Sequence, residues 1–321
     1  MTAPAAPGGA VRVAIVGAGA IGRGWAALSA ANGWETALFD TDVSVADRAA
    51  AEIARRVRAL VALGRVDSES AEAGLRRVRL GRSLLQACGE ADWVIESVPE
   101  DLALKQRTFD NIGQVVRSNA IISSSSSGLP ITEIGARCRD QERCIVAHPM
   151  NPPELIPLVE IVAGKFTAPE TVETIRGWLR ALGRIPIVLK REVPGNAVGR
   201  IAAAVWRECI DLVLAGVMDV DDVDRAVSLG PGLGWAAAGP HLTYHLAAGD
   251  GGVRNFLQQL LQSFEIWWES LAHWSKLDPE QLRALTGQIE KAYGEKLDTI
   301  REARDRRLAA ILRGLEAARK Q

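Results

Sequence analysis

Several things are scarce in this chain. Its 321 residues include only four cysteines, and Cys88, Cys138, Cys144 and Cys209 fall in no C-x-x-C spacing. That argues against a disulfide scaffold and suits a reducing cytosol, so a cytoplasmic location is expected. Neither sign of charge is in excess: 38 Lys and Arg stand against 39 Asp and Glu, a formal net charge of −1. Nothing in that balance calls for nucleic acid or an anionic membrane as a partner. No uninterrupted apolar run approaches the length of a membrane span. The start, Met1 to Gly9, lacks a basic patch and an apolar core, and reads as a short disordered tail rather than a signal peptide. There is no internal repeat, and no metal is expected. The length suits two domains of ordinary size.

Against that background stands the stretch from Val11 to Asp40. An apolar run, Val11–Val16, reads as a buried strand and breaks into Gly17-Ala18-Gly19-Ala20-Ile21-Gly22. In such a strand–turn–helix the first Gly permits the tight turn and the second lets a pyrophosphate approach the backbone. The third lets the helix pack close on the strand. A helix is expected from Arg23 to Asn32, stopped by Gly33. A second strand, Glu35–Phe39, ends at Asp40, eighteen residues past Gly22. A carboxylate there can accept from both ribose hydroxyls of an adenosine and repels a 2′-phosphate, so NAD is favoured over NADP. A bare G-x-G-x-x-G is weak in a chain with 30 glycines, and an ordinary glycine-rich turn is the alternative. Strand, turn, helix, strand and acid in that order favour the dinucleotide.

Further strands are expected at Val78–Leu80, Trp93–Val98, Ala120–Ile122, Cys144–Ala147, Leu158–Val162 and Ile185–Leu189. Helices are expected at Ala46–Leu63, Ser83–Cys88, Leu102–Val116, Ile131–Arg137 and Pro169–Leu182, with an acidic turn near Asp67–Ser70. This alternation signals a parallel sheet with helices on both faces. Beyond Pro194 the pattern is helical, over Pro194–Gly216, Val220–Leu229, Gly251–Ser275 and Pro279–Lys320, with no convincing strand. The fold class is therefore α/β: a Rossmann-type, mostly parallel sheet domain at 1–192, then an all-α domain at 193–321. Arg48, Arg55, Arg56, Arg58 and Arg65 could grip a phosphorylated substrate tail, but arginines on an amphipathic helix are more often a solvated face.

Three loops follow strands of one direction and should open on the carboxyl edge of the sheet, where open α/β sheets bind ligands. The first holds Val98, Pro99 and Glu100, with Lys105 just inside the next helix. The second is the serine run Ser123 to Ser127, which alone would be linker. Wedged between a buried strand and a helix, it reads as hydroxyl donors beside the nicotinamide, Ser125 and Ser127 among them. The third is His148-Pro149-Met150-Asn151-Pro152-Pro153. Glu160 follows twelve residues after His148 on an otherwise apolar strand, where a carboxylate is costly without a partner. The economical partner is His148, whose imidazolium it would stabilise and orient. Such a pair is a positioned general base for an alcohol proton, as hydride transfer to NAD requires. A satisfied buried ion pair is the alternative.

Together the glycine loop with Asp40, Val98–Leu102, Ser124–Leu129, His148–Pro153, Leu158–Glu160 and Pro194-Gly195 resemble the 3-hydroxyacyl-CoA dehydrogenase superfamily. Within it the chain is most similar to the lambda-crystallin, L-gulonate 3-dehydrogenase and L-carnitine dehydrogenase branch, which acts on free 3-hydroxy acids. Gly230–Trp235 and Gly239–His245 fit that branch too. The resemblance implies a Rossmann domain, a helical domain that dimerises, and an active site in the cleft between them. By position it implies His148 as base, Glu160 as its orienting partner, Ser127 as a hydroxyl on the substrate oxygen and Asn151 as a polar neighbour. Glu100 and Lys105 would line the ribose and nicotinamide side.

Two positions depart from the pattern. Gly199 stands where the family keeps an Asn that helps hold the substrate, and Gly234 where the branch keeps an Arg placed for a carboxylate. Asn196, one turn before Gly199, could replace the lost amide or simply cap the helix. With Glu154 and the small run Ala236–Ala238, these changes suggest a widened, less cationic pocket. The expected function is NAD-dependent hydride transfer with an L-3-hydroxy acid or its thioester. The alternatives are a reshaped or engineered ketone or imine reductase, amine dehydrogenase-like, on the same scaffold, and a non-catalytic, crystallin-like NAD-binding protein.

Overall fold

The computed structural model describes residues 11–294 and 297–318. The tail expected at Met1–Gly9 and the last residues of the expected C-terminal helix lie outside them. The chain divides into two compact units, Met1–Arg200 and Ile201–Gln321.

The first unit runs β1 (Arg12–Val16), α1 (Ala20–Ala31), β2 (Glu35–Phe39), α2 (Val43–Ala62), α3 (Ser68–Leu75), β3 (Val78–Leu80), α4 (Leu84–Cys88) and β4 (Trp93–Glu96). It continues with α5 (Leu102–Val115), β5 (Ile121–Ser124), α6 (Ile131–Ile134), β6 (Cys144–Pro149), β7 (Leu158–Ala163), α7 (Pro169–Ala181) and β8 (Ile185–Leu189). One eight-stranded sheet has the order β3-β2-β1-β4-β5-β6-β7-β8. Its order steps outward from β1 in both directions, so β1 and β4 flank the point where ligands bind in doubly wound folds.

Apolar residues run unbroken from Val13 to Val16 in β1 because both faces are covered. Val13 and Ile15 pack with Trp25, Leu28 and Ile53 on one side. Ile122, Phe109, Ile112 and Ile134 join Ala14 and Val16 on the other. All pairings are parallel except β6 with β7. Only the eight residues 150–157 join those two strands, too few for the crossover that a parallel pair needs.

The helix α1 begins at Ala20, three residues earlier than expected, because the Arg23 amide already bonds to the Gly19 carbonyl at 3.0 Å. The expected turn near Asp67 is instead the start of α3, whose Ser70 amide is capped by the Asp67 carboxylate at 2.9 Å.

The first turn of α8 (Asn196–Leu214) lies in the first unit and the remainder in the second. The second unit adds α9 (Val220–Leu229), α10 (Pro231–Ala238), α11 (Pro240–Leu246), α12 (Gly252–Ser270), α13 (Pro279–Tyr293) and α14 (Leu297–Ala318). Proline at the first position of α10 and of α11 starts both helices where no element was expected. The buried core here is small, built on Ile210, Val213, Val223 and Leu285. Large apolar side chains stay outside, among them Trp206 at 62% exposure, Leu229 at 71% and Ile266 at 60%. Tyr244, Phe256, Phe264 and Trp268 line a hollow of about 790 Å³ between α11 and α12.

Candidate active site

The glycine turn is shaped as a phosphate cradle. Gly17 has φ +103°, and a Cβ there would come within 2.6 Å of the Ser97 carbonyl oxygen. At Gly22 a Cβ would lie 1.9 Å from the Gly17 carbonyl oxygen, so only glycine lets α1 sit this close to its own turn. Gly19 faces open space, with nothing within 4 Å of an added Cβ, and no side chain caps α1. Its first amides, at Ala20 and Ile21, are thus presented at the positive end of the helix dipole. Asp40 follows β2 and braces the turn: Oδ2 accepts the Ala18 amide at 2.8 Å and Oδ1 the Asp42 amide at 2.9 Å. These residues fit a dinucleotide pyrophosphate with its adenosine ribose at Asp40.

The next three loops leave parallel neighbours, β4, β5 and β6, at the same edge. In the serine run the hydroxyls are shared out one by one. Ser123 accepts the Trp93 indole N–H at 2.8 Å, and Ser124 donates to Glu96 at 2.6 Å. The Ser125 hydroxyl accepts the Trp25 indole N–H at 3.1 Å and lies 3.0 Å from the Ser97 hydroxyl. Ser126 donates to Glu100 at 2.5 Å. Ser127 is exposed, and its hydroxyl has no partner among the described residues. The amide nitrogen of Asn196 holds this loop, donating to the carbonyls of Ser126 at 3.3 Å and Ser127 at 3.1 Å. Asn196 is 3% exposed, so its N–H groups are committed to the protein rather than offered to a substrate.

His148 and Glu160 sit opposite each other in the antiparallel register of β6 and β7. Cross-strand neighbours of this kind share a sheet face. The His148 Nδ1 lies 2.8 Å from Glu160 Oε2. The other carboxylate oxygen accepts the Ala197 and Val198 amides, both at 2.9 Å, at the start of α8. Glu160 is fully buried, and these three bonds satisfy its charge. Fixed through Nδ1, the imidazole keeps Nε2 without a protein partner among the described residues. Asn151, in the same loop, is exposed.

Two expectations are corrected. Lys105 does not line an open cofactor surface: it is 1% exposed, and its ammonium turns inward to Glu96 at 2.8 Å and the Val98 carbonyl at 3.1 Å. Glu154 does not widen a pocket: it is 8% exposed and bonded to Arg56 at 2.8 Å. Arg56 and Arg55 also both bond Glu52. Glu96, fully buried at the end of β4, is the residue that motif reading passes over. Its signal was available, since an acid inside an apolar strand requires partners as Glu160 does. Gly199 and Gly234 leave room for larger side chains: an added Cβ would meet only the Ser127 carbonyl oxygen at 3.7 Å and Thr243 Cγ2 at 3.9 Å respectively.

A doubly wound sheet with this cradle and an acid at the end of β2 defines an NAD-dependent oxidoreductase. Residues 12–193 match the NAD-binding domain of 3-hydroxyacyl-CoA dehydrogenase, and residues 195–283 match its C-terminal domain. The chain belongs to the 3-hydroxyacyl-CoA dehydrogenase family. It is 36% identical to L-carnitine dehydrogenase of Burkholderia mallei, over 95% of this chain and 94% of the relative. The L-carnitine dehydrogenase of Streptomyces griseus is 37% identical, over 97% and 92%. Among solved structures, 5-formyl-3-hydroxy-2-methylpyridine 4-carboxylic acid 5-dehydrogenase, an NAD-dependent dismutase, superposes with a TM-score of 0.82. That match has 31% identity and covers 96% of this chain and 99% of the other.

Proposed function

We propose that the chain oxidises a free L-3-hydroxy acid to the 3-oxo acid, with His148 as the general base. The observation that carries this reading is the 2.8 Å contact between His148 Nδ1 and Glu160 Oε2, with Nε2 left to a ligand. Held by Glu160, the imidazole takes the substrate hydroxyl proton at Nε2 and keeps its Nδ1 proton on the carboxylate, which stabilises the imidazolium. Ser127, whose hydroxyl is uncommitted, donates to the substrate oxygen. NAD, when bound, supplies the hydride acceptor. Gly17, Gly19, Ala20, Ile21 and Gly22 hold its pyrophosphate and Asp40 its ribose, while Val98, Pro99, Glu100 and Ser125 wall the nicotinamide side. Asn151 and the free space at Gly199 and Gly234 belong to the substrate.

A free acid is favoured over a thioester by the name L-carnitine dehydrogenase on relatives matched along nearly their whole length. The engagement of Arg55 and Arg56 by Glu52 and Glu154 supports the same choice, since it leaves those two arginines already paired. A second reading, turnover of bulkier neutral alcohols or ketones, is favoured by the small residues Gly199 and Gly234. We assign NAD binding to residues 1–192 and substrate and dimer contacts to residues 193–321. A homodimer accounts for exposed Trp206, Leu229 and Ile266, since large apolar patches mark association surfaces. No helix among the described residues is long and apolar enough to cross a membrane, and four free cysteines fit a cytoplasmic enzyme. NADH formation across carnitine, 3-hydroxybutyrate, its coenzyme A thioester and neutral secondary alcohols tests the reading. Turnover confined to the thioester would overturn it.

A further inference from the structure

Glu96 has no part in the chemistry above, yet its buried carboxylate is bonded three times at the ligand edge, as often as that of Glu160. Its Oε1 accepts the Val98 amide at 2.7 Å and the Lys105 ammonium at 2.8 Å, and its Oε2 accepts the Ser124 hydroxyl at 2.6 Å. The Glu96 carbonyl oxygen accepts the Ser125 amide at 2.9 Å. From there the bonds spread into both neighbouring loops. Lys105 reaches the Val98 carbonyl at 3.1 Å and Glu100 at 3.4 Å. Ser124 Oγ accepts the Ser126 amide at 3.1 Å, and Glu100 accepts the Gly128 amide at 3.3 Å.

Stability alone does not explain this arrangement. Burial pushes the Glu96 carboxyl up, while Lys105, Ser124 and the Val98 amide pull it back down. A buried ion pair is at best even with a well-packed apolar pair of similar volume. The neighbourhood is already apolar, with Val94, Ile95 and Ile122 all fully buried. What an apolar pair cannot do is hold the Val98 amide, the Ser124 hydroxyl and, through them, two separate loops at fixed spacing.

We propose that Glu96, acting through Lys105 and Ser124, is a positioning residue that fixes the 97–101 loop against the serine loop and so sets where Ser127 and the nicotinamide-side wall stand. The inference rests on the active-site reading above. Two variants test it: Glu96→Leu/Lys105→Met, which replaces the ion pair with apolar volume, and Glu96→Gln, which keeps shape and removes charge. Readouts are melting temperature, NADH dissociation constant by fluorescence, amide hydrogen exchange, and kcat and KM separately.

The double variant is expected to melt somewhat below wild type, because the Val98 amide and the Ser124 hydroxyl lose their acceptor. Its NADH affinity should weaken about tenfold and kcat fall by more than KM rises, by about a hundredfold, the scale set by loss of one or two charge-assisted bonds. Exchange protection should drop at Val98, Ser126 and Gly128 but not along β1. If the double variant does not fold, Glu96→Gln carries the test, with about a tenfold loss in NADH affinity expected on the same scale. Wild-type NADH affinity, kcat and exchange in whichever variant folds would overturn the proposal. Should wild type turn over none of the 3-hydroxy substrates, the proposed function fails instead, and NADH affinity with exchange still reads the role of Glu96.

Discussion

Asp40 and Ala18 are tied by a 2.8 Å bond from the Ala18 amide to Oδ2, so the acid expected to read the ribose also braces the glycine turn. Replacing it therefore has two effects. Asp40→Ser removes the charge that repels a 2′-phosphate and should narrow the preference for NAD over NADP by about tenfold or more. It should also loosen the turn, with NAD affinity falling modestly. Comparing kcat/KM for the two cofactors checks this, and a wild-type enzyme indifferent between them would defeat the assignment.

His148→Gln should lower kcat by about a hundred- to ten-thousandfold, the range for loss of a positioned general base, while NADH binding holds. Glu160→Gln should fall between that variant and wild type. A glutamine oxygen can still accept the Ala197 and Val198 amides, but its NH₂ then meets Nδ1 and forces the proton onto Nε2. Glu160→Ala should add a melting loss of about 1 to 3 kcal/mol for the unpaired helix amides. An active His148→Gln enzyme would point to a different base.

Gly234→Arg, alone or with Gly199→Asn, should raise kcat/KM for a compact 3-hydroxy carboxylate about ten- to hundredfold, the worth of a charge-assisted bond. Larger neutral substrates should slow. Both positions have space for a side chain, so melting should change little. If wild type already handles the compact acid and the arginine changes nothing, the carboxylate is read elsewhere.

Glu52 sets an acid-side limit on stability. Hydrogen bonding from Arg55, with help from Arg56, holds its carboxyl down at about 2, against 4.5 when free. A value depressed by folding means stabilisation that is complete above 4.5 and lost as pH falls towards 2. Glu52→Gln should cost about 1 to 2 kcal/mol at pH 7, discounted for the exposure of Arg55, and nothing near pH 2. Urea melts at several pH values measure it, and a pH-independent difference would refute the ion-pair origin.

What was legible in the sequence follows how local each signal is. The cradle is written in consecutive residues, because one turn needs its glycines at fixed offsets, and Asp40 lies one strand further on. His148 and Glu160 were legible for another reason: an acid on an apolar strand demands a partner, and few candidates exist. Glu96 obeys the same rule, but its partners arrive from α5 and β5, and pairing among parallel strands leaves no mark in sequence spacing. Lys105 was misplaced because a long flexible side chain beside a ligand loop can turn either way, and the deciding charge was Glu96. The helix α10 escaped notice because its Gly- and Ala-rich stretch carries too little contrast between faces to show a period, and α11 because its seven residues are too few to establish one.

The allotment of the five serine hydroxyls has a consequence for how such an enzyme can change. Substitution at Ser123, Ser124 or Ser125 strands a buried partner, Trp93, Glu96 or Trp25, and substitution at Ser126 unties Glu100 in the neighbouring loop. Substitution at Ser127 strands nothing. A saturation library across the run should therefore return its folded diversity almost wholly at 127, where one codon alters the hydroxyl proposed to meet the substrate and leaves the frame around it in place.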